Sequence, residues 1–290
     1  IVGVGSTTIT ATQTASADGN YTTGSVTASL VVSASLSNFN VPSKTYGDAS
    51  FNLTDPDTTD NTVGFTFASS NPSVATLSGD SNRTVSIVGA GSTTITATQA
   101  ATANRGELNI SATLVVSPAT PIITIAPITK AYGNPSFRPV PTTTNTDTSG
   151  GLVFTFTSSN IAVVSMLDAS LVRINGVGTA TLSITQAASA NFTSASSSVV
   201  VTVNKGASGF SASTFVVAAN KTFGDASFAI TTVPISSSTG AITYSSSDVN
   251  VATITSNGSG NAITLVGQGT VTFTATQAES ALYTADTKTS

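Results

Sequence analysis

Cysteine, histidine and tryptophan are absent from this sequence, and glutamate occurs only twice, at Glu107 and Glu279. Those absences remove disulfides, thiolate and imidazole metal sites, Cys- or His-based nucleophilic catalysis and the largest aromatic platform for stacking a sugar. Two glutamates far apart in the chain leave a paired-carboxylate glycosidase site without its parts. Charge is scarce as well: charged residues make up 8% of the 290 positions, against roughly 25% in an ordinary soluble domain. The nine Lys and Arg are scattered and the net charge is −4, so neither a nucleic-acid backbone nor an anionic membrane meets a basic stripe. No apolar run is long enough for a membrane span, and the first residues lack the pattern of a signal peptide. The chain begins without Met and reads as a segment of a longer protein.

What is present is hydroxyl. The sequence holds 44 Ser and 53 Thr, so hydroxyls take over the task of wetting the surface. It also holds an internal repeat, which decides the fold reading before any local one. The phrase IVGVGSTTITATQ at the start returns as IVGAGSTTITATQ at 87–99, INGVGTATLSITQ at 174–186 and LVGQGTVTFTATQ at 265–277. A second block reads KTYGDASF (44–51), KAYGNPSF (130–137) and KTFGDASF (221–228), and a third reads FTFASSNPSVATL (65–77), FTFTSSNIAVVSM (154–166) and ITYSSSDVNVATI (242–254).

Apolar residues alternate within these blocks with a period of two, and β-branched and aromatic residues dominate, which predicts half-buried strands. In Thr94-Ile95-Thr96-Ala97-Thr98, Ile95 and Ala97 face one way and the threonines the other. A slip of one residue would put the threonines in the core, so the register is strongly specified. About seven short strands in each period, with Gly, Pro, Asn, Asp and Ser punctuation and no helical periodicity, predict an all-β chain of tandem immunoglobulin-like antiparallel β-sandwiches. The expected organisation is the closing part of one repeat at 1–34, repeats at 35–118 and 119–206, and a repeat at 207–290 that stops short of its last strand. Either the stretch is cut there, or an open groove receives a strand from another chain.

The K-T-Y-G-D-x-S-F opening, the S-S-N-P-x-V-A-T middle and the G-x-G-x-x-T-I-T-A-T-Q close resemble bacterial immunoglobulin-like repeats of the Big type. These stand in tandem in large surface adhesins, secreted proteins and phage surface proteins. The resemblance covers the whole chain and implies a module without a shared catalytic site.

Gly-x-Gly before hydroxyl residues invites comparison with a phosphate-binding loop. Such a loop needs a helix to follow, and here a strand follows, so Gly89, Gly91, Gly176, Gly178, Gly267 and Gly269 are expected to serve turns. Gln99, Gln186 and Gln277 recur at the strand end on the inward parity and are expected to satisfy backbone groups there. In the K-T-Y-G-D block the acidic residue is Asn134 in one copy, which favours an Asx turn over a charge. Asp55, Asp57 and Asp60 in LTDPDTTD are the candidate oxygens for a hard cation such as Ca²⁺; the other repeats carry no such loop, and a solvated acidic loop is preferred. Tyr21, Tyr46, Tyr132, Tyr244 and Tyr283 are read as packing residues rather than a sugar platform.

No catalytic residue and no cofactor is expected. The leading expectation is a non-catalytic stalk, fibre or filament body outside the cell, on a cell surface or on a virion. Its partners would be neighbouring repeats or further copies of the chain, with no nucleic acid and no membrane insertion in this segment. Alternatives are an adhesin or polysaccharide-binding module and the spacer of a secreted enzyme.

Overall fold

The computed structural model describes residues 3–103, 105–147, 153–211, 217, 220–257 and 260–290. These are strands and turns, with one short 3-10 turn at Asp80–Asn82. The chain packs as two compact units, one of residues 1–121 with 145–151 and 188–194, the other of residues 122–144, 152–187 and 195–290.

The first unit holds a two-sheet core. One sheet runs Lys44–Thr45, Leu108–Ser117, Gly91–Gln99, Phe65–Ser69, and the other runs Phe51–Asn52, Thr84–Ile87, Ala75–Ser78. The register places Ile95 opposite Ala112 on one side and Ser69 on the other. Alternation does what the sequence requires: Ile95 and Ala97 are fully buried, Thr94 is exposed, and the inner faces meet over Phe67, Val85 and Leu114. One pairing departs from the antiparallel expectation. Lys44–Thr45 lie parallel to Val116–Ser117, because the first strand crosses to the sheet that carries the last, and the two run the same way.

The second unit holds two further cores. In one, Ile128–Ala131, Ala195–Asn204, Gly178–Gln186 and Phe154–Ser158 form a sheet in the same order, again with a parallel edge pair, over Leu182, Ile184 and Val201. In the other, Ile242–Ser246, Phe273–Gln277 and Asp286–Thr289 form one sheet, and Phe228–Ala229, Gly260–Leu265 and Ala252–Asn257 form the facing one. The architecture is a tandem array of immunoglobulin-like β-sandwiches.

The last strand of the final repeat is not wholly missing, which corrects the sequence expectation. Asp286–Thr289 pair with the strand that ends at Gln277, over four residues, where Leu108–Ser117 and Ala195–Asn204 at the same place each run for ten. In the middle repeat Val201 and Val203 stand opposite Ala180 and Gly178 and are buried. The corresponding Val271 and Gly269 instead line an open cavity of about 590 Å³, together with Phe223, Phe228, Ile263 and Phe273.

Residues 1–34 contribute a hairpin. Gly5–Gln13 pairs with Gly24–Val32 in the register of the other closing strands, Gly5 opposite Val32 as Gly91 is opposite Val116. Its apolar residues lie largely open, with Ile9 57% exposed.

Candidate functional site: the joints between repeats

The K-x-Y-G-D blocks fold into one turn, used three times. Thr45 N–H donates to Asp48 Oδ2 at 2.9 Å, Ala131 N–H to Asn134 Oδ1 at 2.9 Å, and Thr222 N–H to Asp225 Oδ2 at 3.1 Å. The glycine inside each turn has a positive φ, 91° at Gly47, 89° at Gly133 and 100° at Gly224, which is why no other residue stands there. The Asn copy makes the same bond as the Asp copies, so the acceptor oxygen matters and the charge does not. Lys and Phe at the two ends of the block also meet. Lys44 Nζ lies 4.8 Å from the Phe51 ring centre, Lys130 5.1 Å from Phe137, and Lys221 4.9 Å from Phe228, contacts worth about 0.5–1 kcal/mol each when exposed.

The turn presents an aromatic ring, Tyr46, Tyr132 or Phe223. A second aromatic comes from the loop that follows the buried glutamine. In that loop Ser189 N–H donates to Phe192 O at 2.9 Å and Ser280 N–H to Tyr283 O at 3.0 Å, which sets the ring at the loop's exit. The two rings meet edge to face. Tyr46 and Phe192 have centroids 5.4 Å apart at 77°, and Tyr132 and Tyr283 are 5.4 Å apart at 85°. Each pair lies within one compact unit.

Backbone bonds complete each joint. The turn aromatic ties to the end of its own last strand, Tyr46 N–H to Ser117 O at 2.9 Å and Tyr132 N–H to Asn204 O at 2.8 Å. Two residues further along, Ala119 N–H donates to Asn191 O and Thr193 N–H returns to Ala119 O, at 2.9 and 2.8 Å. Gly206 does the same with Leu282 and Thr284, at 2.9 and 3.0 Å. A Cβ on Gly206 would run into the Tyr132 carbonyl, so the linker must approach closely there. Asn191 adds a third tie by accepting from Ala90 N–H at 2.8 Å. One amide of the Gly-x-Gly segment is thereby engaged by a neighbouring repeat.

The glycines themselves answer to packing. A Cβ at Gly89, Gly176 or Gly267 would sit 2.6–2.7 Å from the carbonyl of Ser73, Ala162 or Asn250, while Gly91, Gly178 and Gly269 hold φ between 137° and 152°. Strand follows in every copy. The glutamines close the loop that faces this strand. Gln99 Nε2 donates to Asp60 O at 2.6 Å and Val63 O at 2.8 Å, and Gln277 Nε2 to Ser238 O at 3.2 Å and Gly240 O at 3.3 Å. Gln186 Oε1 accepts from Thr143 Oγ1 at 2.8 Å; its Nε2 has no partner among the described residues.

The three aspartates proposed as cation ligands are not gathered into a site. Asp55 forms a two-pronged pair with Arg83 at 2.5 and 2.7 Å, Asp57 accepts from Asn38 Nδ2 at 2.6 Å, and Asp60 turns inward to Arg105 Nε at 2.7 Å. Each carboxylate already has a partner, and among the described residues no group of three acidic, His or Cys side chains is placed to hold a metal. The Asp60–Arg105 pair is buried, with side chains 7% and 6% exposed. The Thr62 hydroxyl, then Arg105, then the Thr62 N–H hold the Asp60 carboxyl down to about 2.

The tyrosines form no common platform: Tyr46, Tyr132 and Tyr283 serve the joints, Tyr244 packs on the third core, and Tyr21 stands 66% exposed. Sequence reasoning missed the ring pairs. Only the loop position recurs in sequence: Tyr21, Arg105, Phe192 and Tyr283 each precede the strand partner of the glutamine by three residues, which the register makes plain. At that place Arg105 is the exception to the aromatics.

The sheet order, the parallel edge pairs and the repeated joint define a tandem array of immunoglobulin-like repeats. Residues 62–101 match the family model of the intimin immunoglobulin-like domain, in keeping with the resemblance to bacterial immunoglobulin-like repeats. No curated protein matches the sequence. Among solved structures, domains 1–6 of the surface layer protein SbsC are 15% identical over 100% of this chain and 44% of theirs, with a TM-score of 0.31. Drosophila N-cadherin EC1-4 is 11% identical over 98% of this chain and 81% of its own, with a TM-score of 0.29. At those TM-scores neither likeness adds to the argument. No described helix is long and apolar enough to cross a membrane.

Proposed function

We propose that this chain is a non-catalytic structural segment, the stalk, fibre or filament body of a repetitive extracellular or surface protein, with repeat boundaries near residues 34, 118 and 206. The observation that carries the reading is the joint. Twice the same backbone pairing and the same ring pair fasten one repeat to the next, so recurring sequence motifs are devoted to connection. The match of residues 62–101 to the intimin immunoglobulin-like domain supports a module of surface proteins. Scarce charge and hydroxyl-covered sheets suit a surface that packs without strong repulsion. Electron microscopy of the native material tests the reading. Filaments or stalks whose axial period is a whole number of repeats are expected; a compact particle without that period would overturn it.

A further inference from the structure

The two joints share a backbone pairing and a ring pair, but the polar side chains around them differ. In the first joint Asp147 Oδ2 accepts from the Ser189 hydroxyl at 2.6 Å and from Asn191 N–H at 2.8 Å, and Asp147 Oδ1 accepts from Asn191 Nδ2 at 2.9 Å. With Nδ2 committed to the carboxylate, the Asn191 amide has one orientation left, and its Oδ1 accepts from Ala90 N–H of the preceding repeat at 2.8 Å. All of these residues belong to the first compact unit. The other repeats fill the same loop position without a carboxylate. Asp147 N–H donates to Asn145 Oδ1 at 2.9 Å, Thr62 N–H to Asp60 Oδ1 at 3.0 Å and Gly240 N–H to Ser238 Oγ at 3.1 Å, so Thr62 and Gly240 stand where Asp147 does. In the third repeat Leu282, five residues beyond Gln277 as Asn191 is beyond Gln186, has no side-chain oxygen to offer a neighbour.

We propose that Asp147 is the latch of the first joint: ionised, it fixes Asn191 across the boundary onto Ala90, and neutralised, it frees that tie while the ring pair and the Ala119 pairing stay as a hinge. The inference rests on the structural-segment reading and names how one of its joints is regulated. Three donors converge on two carboxylate oxygens, a demand that suits a group with acceptors alone. A carboxamide puts a donor in one of those places, and a protonated carboxyl accepts more weakly than a carboxylate. Either change leaves the Asn191 amide without its anchor and able to turn its Nδ2 towards the Ala90 N–H. The same three bonds, the Ser189 hydroxyl first, hold the Asp147 carboxyl below its ordinary 3.8. The stabilisation is therefore complete above about pH 4 and is lost as pH falls through the lowered value. Segments 71–74, 88–91, 118–121, 142–146 and 188–194 contain no titratable side chain, and the turn behind the Phe192 ring brings Lys44, Tyr46 and Asp48. Lys44 lies over Phe51, Asp48 accepts from Thr45 N–H, and among the described residues Asp147 is in no ion pair.

Amide hydrogen exchange of the folded chain, resolved by residue with NMR, tests this at Ala90, with Gly206 of the second joint and the buried Ile95 as references. At about pH 6, Asp147→Asn should speed exchange at Ala90 by about tenfold or more and leave Gly206 and Ile95 as they are. In the wild type the protection of Ala90, corrected for the intrinsic pH dependence of exchange, should fall between about pH 4 and pH 2.5 relative to Gly206, and in Asp147→Asn it should not. Asn191→Leu, which copies the third repeat, should open Ala90 as far and without a pH dependence. Unchanged protection of Ala90 in Asp147→Asn overturns the proposal, as does a flat wild-type profile in acid. A loss shared equally by Gly206 and Ile95 overturns it too, because the variant would then have loosened the fold at large. Failure on any of these counts leaves the structural-segment reading standing, since that reading is decided by the axial period of the native material.

Discussion

Single residues carry the repeat through close approach and satisfied polarity. Gly89 admits no Cβ because the Ser73 carbonyl would lie 2.7 Å away, whereas Gly3, at the same place in the opening phrase, has nothing within 4 Å. Gly89→Ala should lower stability by roughly 1–3 kcal/mol and Gly3→Ala should be neutral, as read from urea unfolding midpoints. Asp60 sets a pH dependence. Its carboxyl is held down to about 2, from 3.8, by Thr62 and Arg105. A depressed folded-state value means its stabilisation is complete above about pH 4 and is lost as pH falls towards 2. Asp60→Asn should therefore be less stable than wild type at pH 7, and the gap should narrow steadily between pH 4 and 2. An unchanged gap would show that the Asp60 charge is not what matters.

Strands are where pattern and packing part company. The long closing strands were legible because inward residues such as Ile95 and Ala97 alternate with outward threonines and only one register buries the apolar set. Two-residue strands such as Lys44–Thr45, and their parallel pairing with Val116–Ser117, were not legible, since two residues show no period and their partner is distant in sequence. The same held for the final strand, where Asp286–Thr289 pair although the DTKT sequence has no apolar alternation. Identical strands in different settings give a clean experiment. Ile95 is fully buried and Ile9 is 57% exposed. Ile95→Ala should cost about 2–5 kcal/mol and Ile9→Ala no more than about 0.5 kcal/mol, measured by chemical unfolding followed through the first unit. Equal costs would mean the hairpin of residues 1–34 is packed in solution.

At the scale of the whole molecule, repetition of the joint matters more than any one core. Tyr132 and Tyr283 pack edge to face at 5.4 Å, and such pairs are coupled by about 0.5–1.5 kcal/mol beyond the area they bury. A double-mutant cycle of Tyr132→Ala and Tyr283→Ala on the unfolding free energy should return a coupling of that size. Additive losses would show that the rings are neighbours without being partners. Several cores in one chain also mean that unfolding should pass through more than one step, so the cycle is best read on the transition that reports the second unit. The ring pairs were hidden from sequence reading because their members lie in different repeats. Only the fold reveals that the K-x-Y-G turn and the loop after the glutamine meet.

GSTTITATQ occurs twice without a change, at Gly5–Gln13 and at Gly91–Gln99. By itself that sequence determined a strand, its two faces and its antiparallel partner, because alternation and β-branching act locally and a hairpin brings the next strand alongside. Burial was decided only by the tertiary structure. The second copy has Phe65–Ser69 on its other edge and a facing sheet over Ile95 and Ala97, while among the described residues the first pairs with Gly24–Val32. Burial is a property of the neighbours a strand acquires, and those neighbours come from elsewhere in the chain.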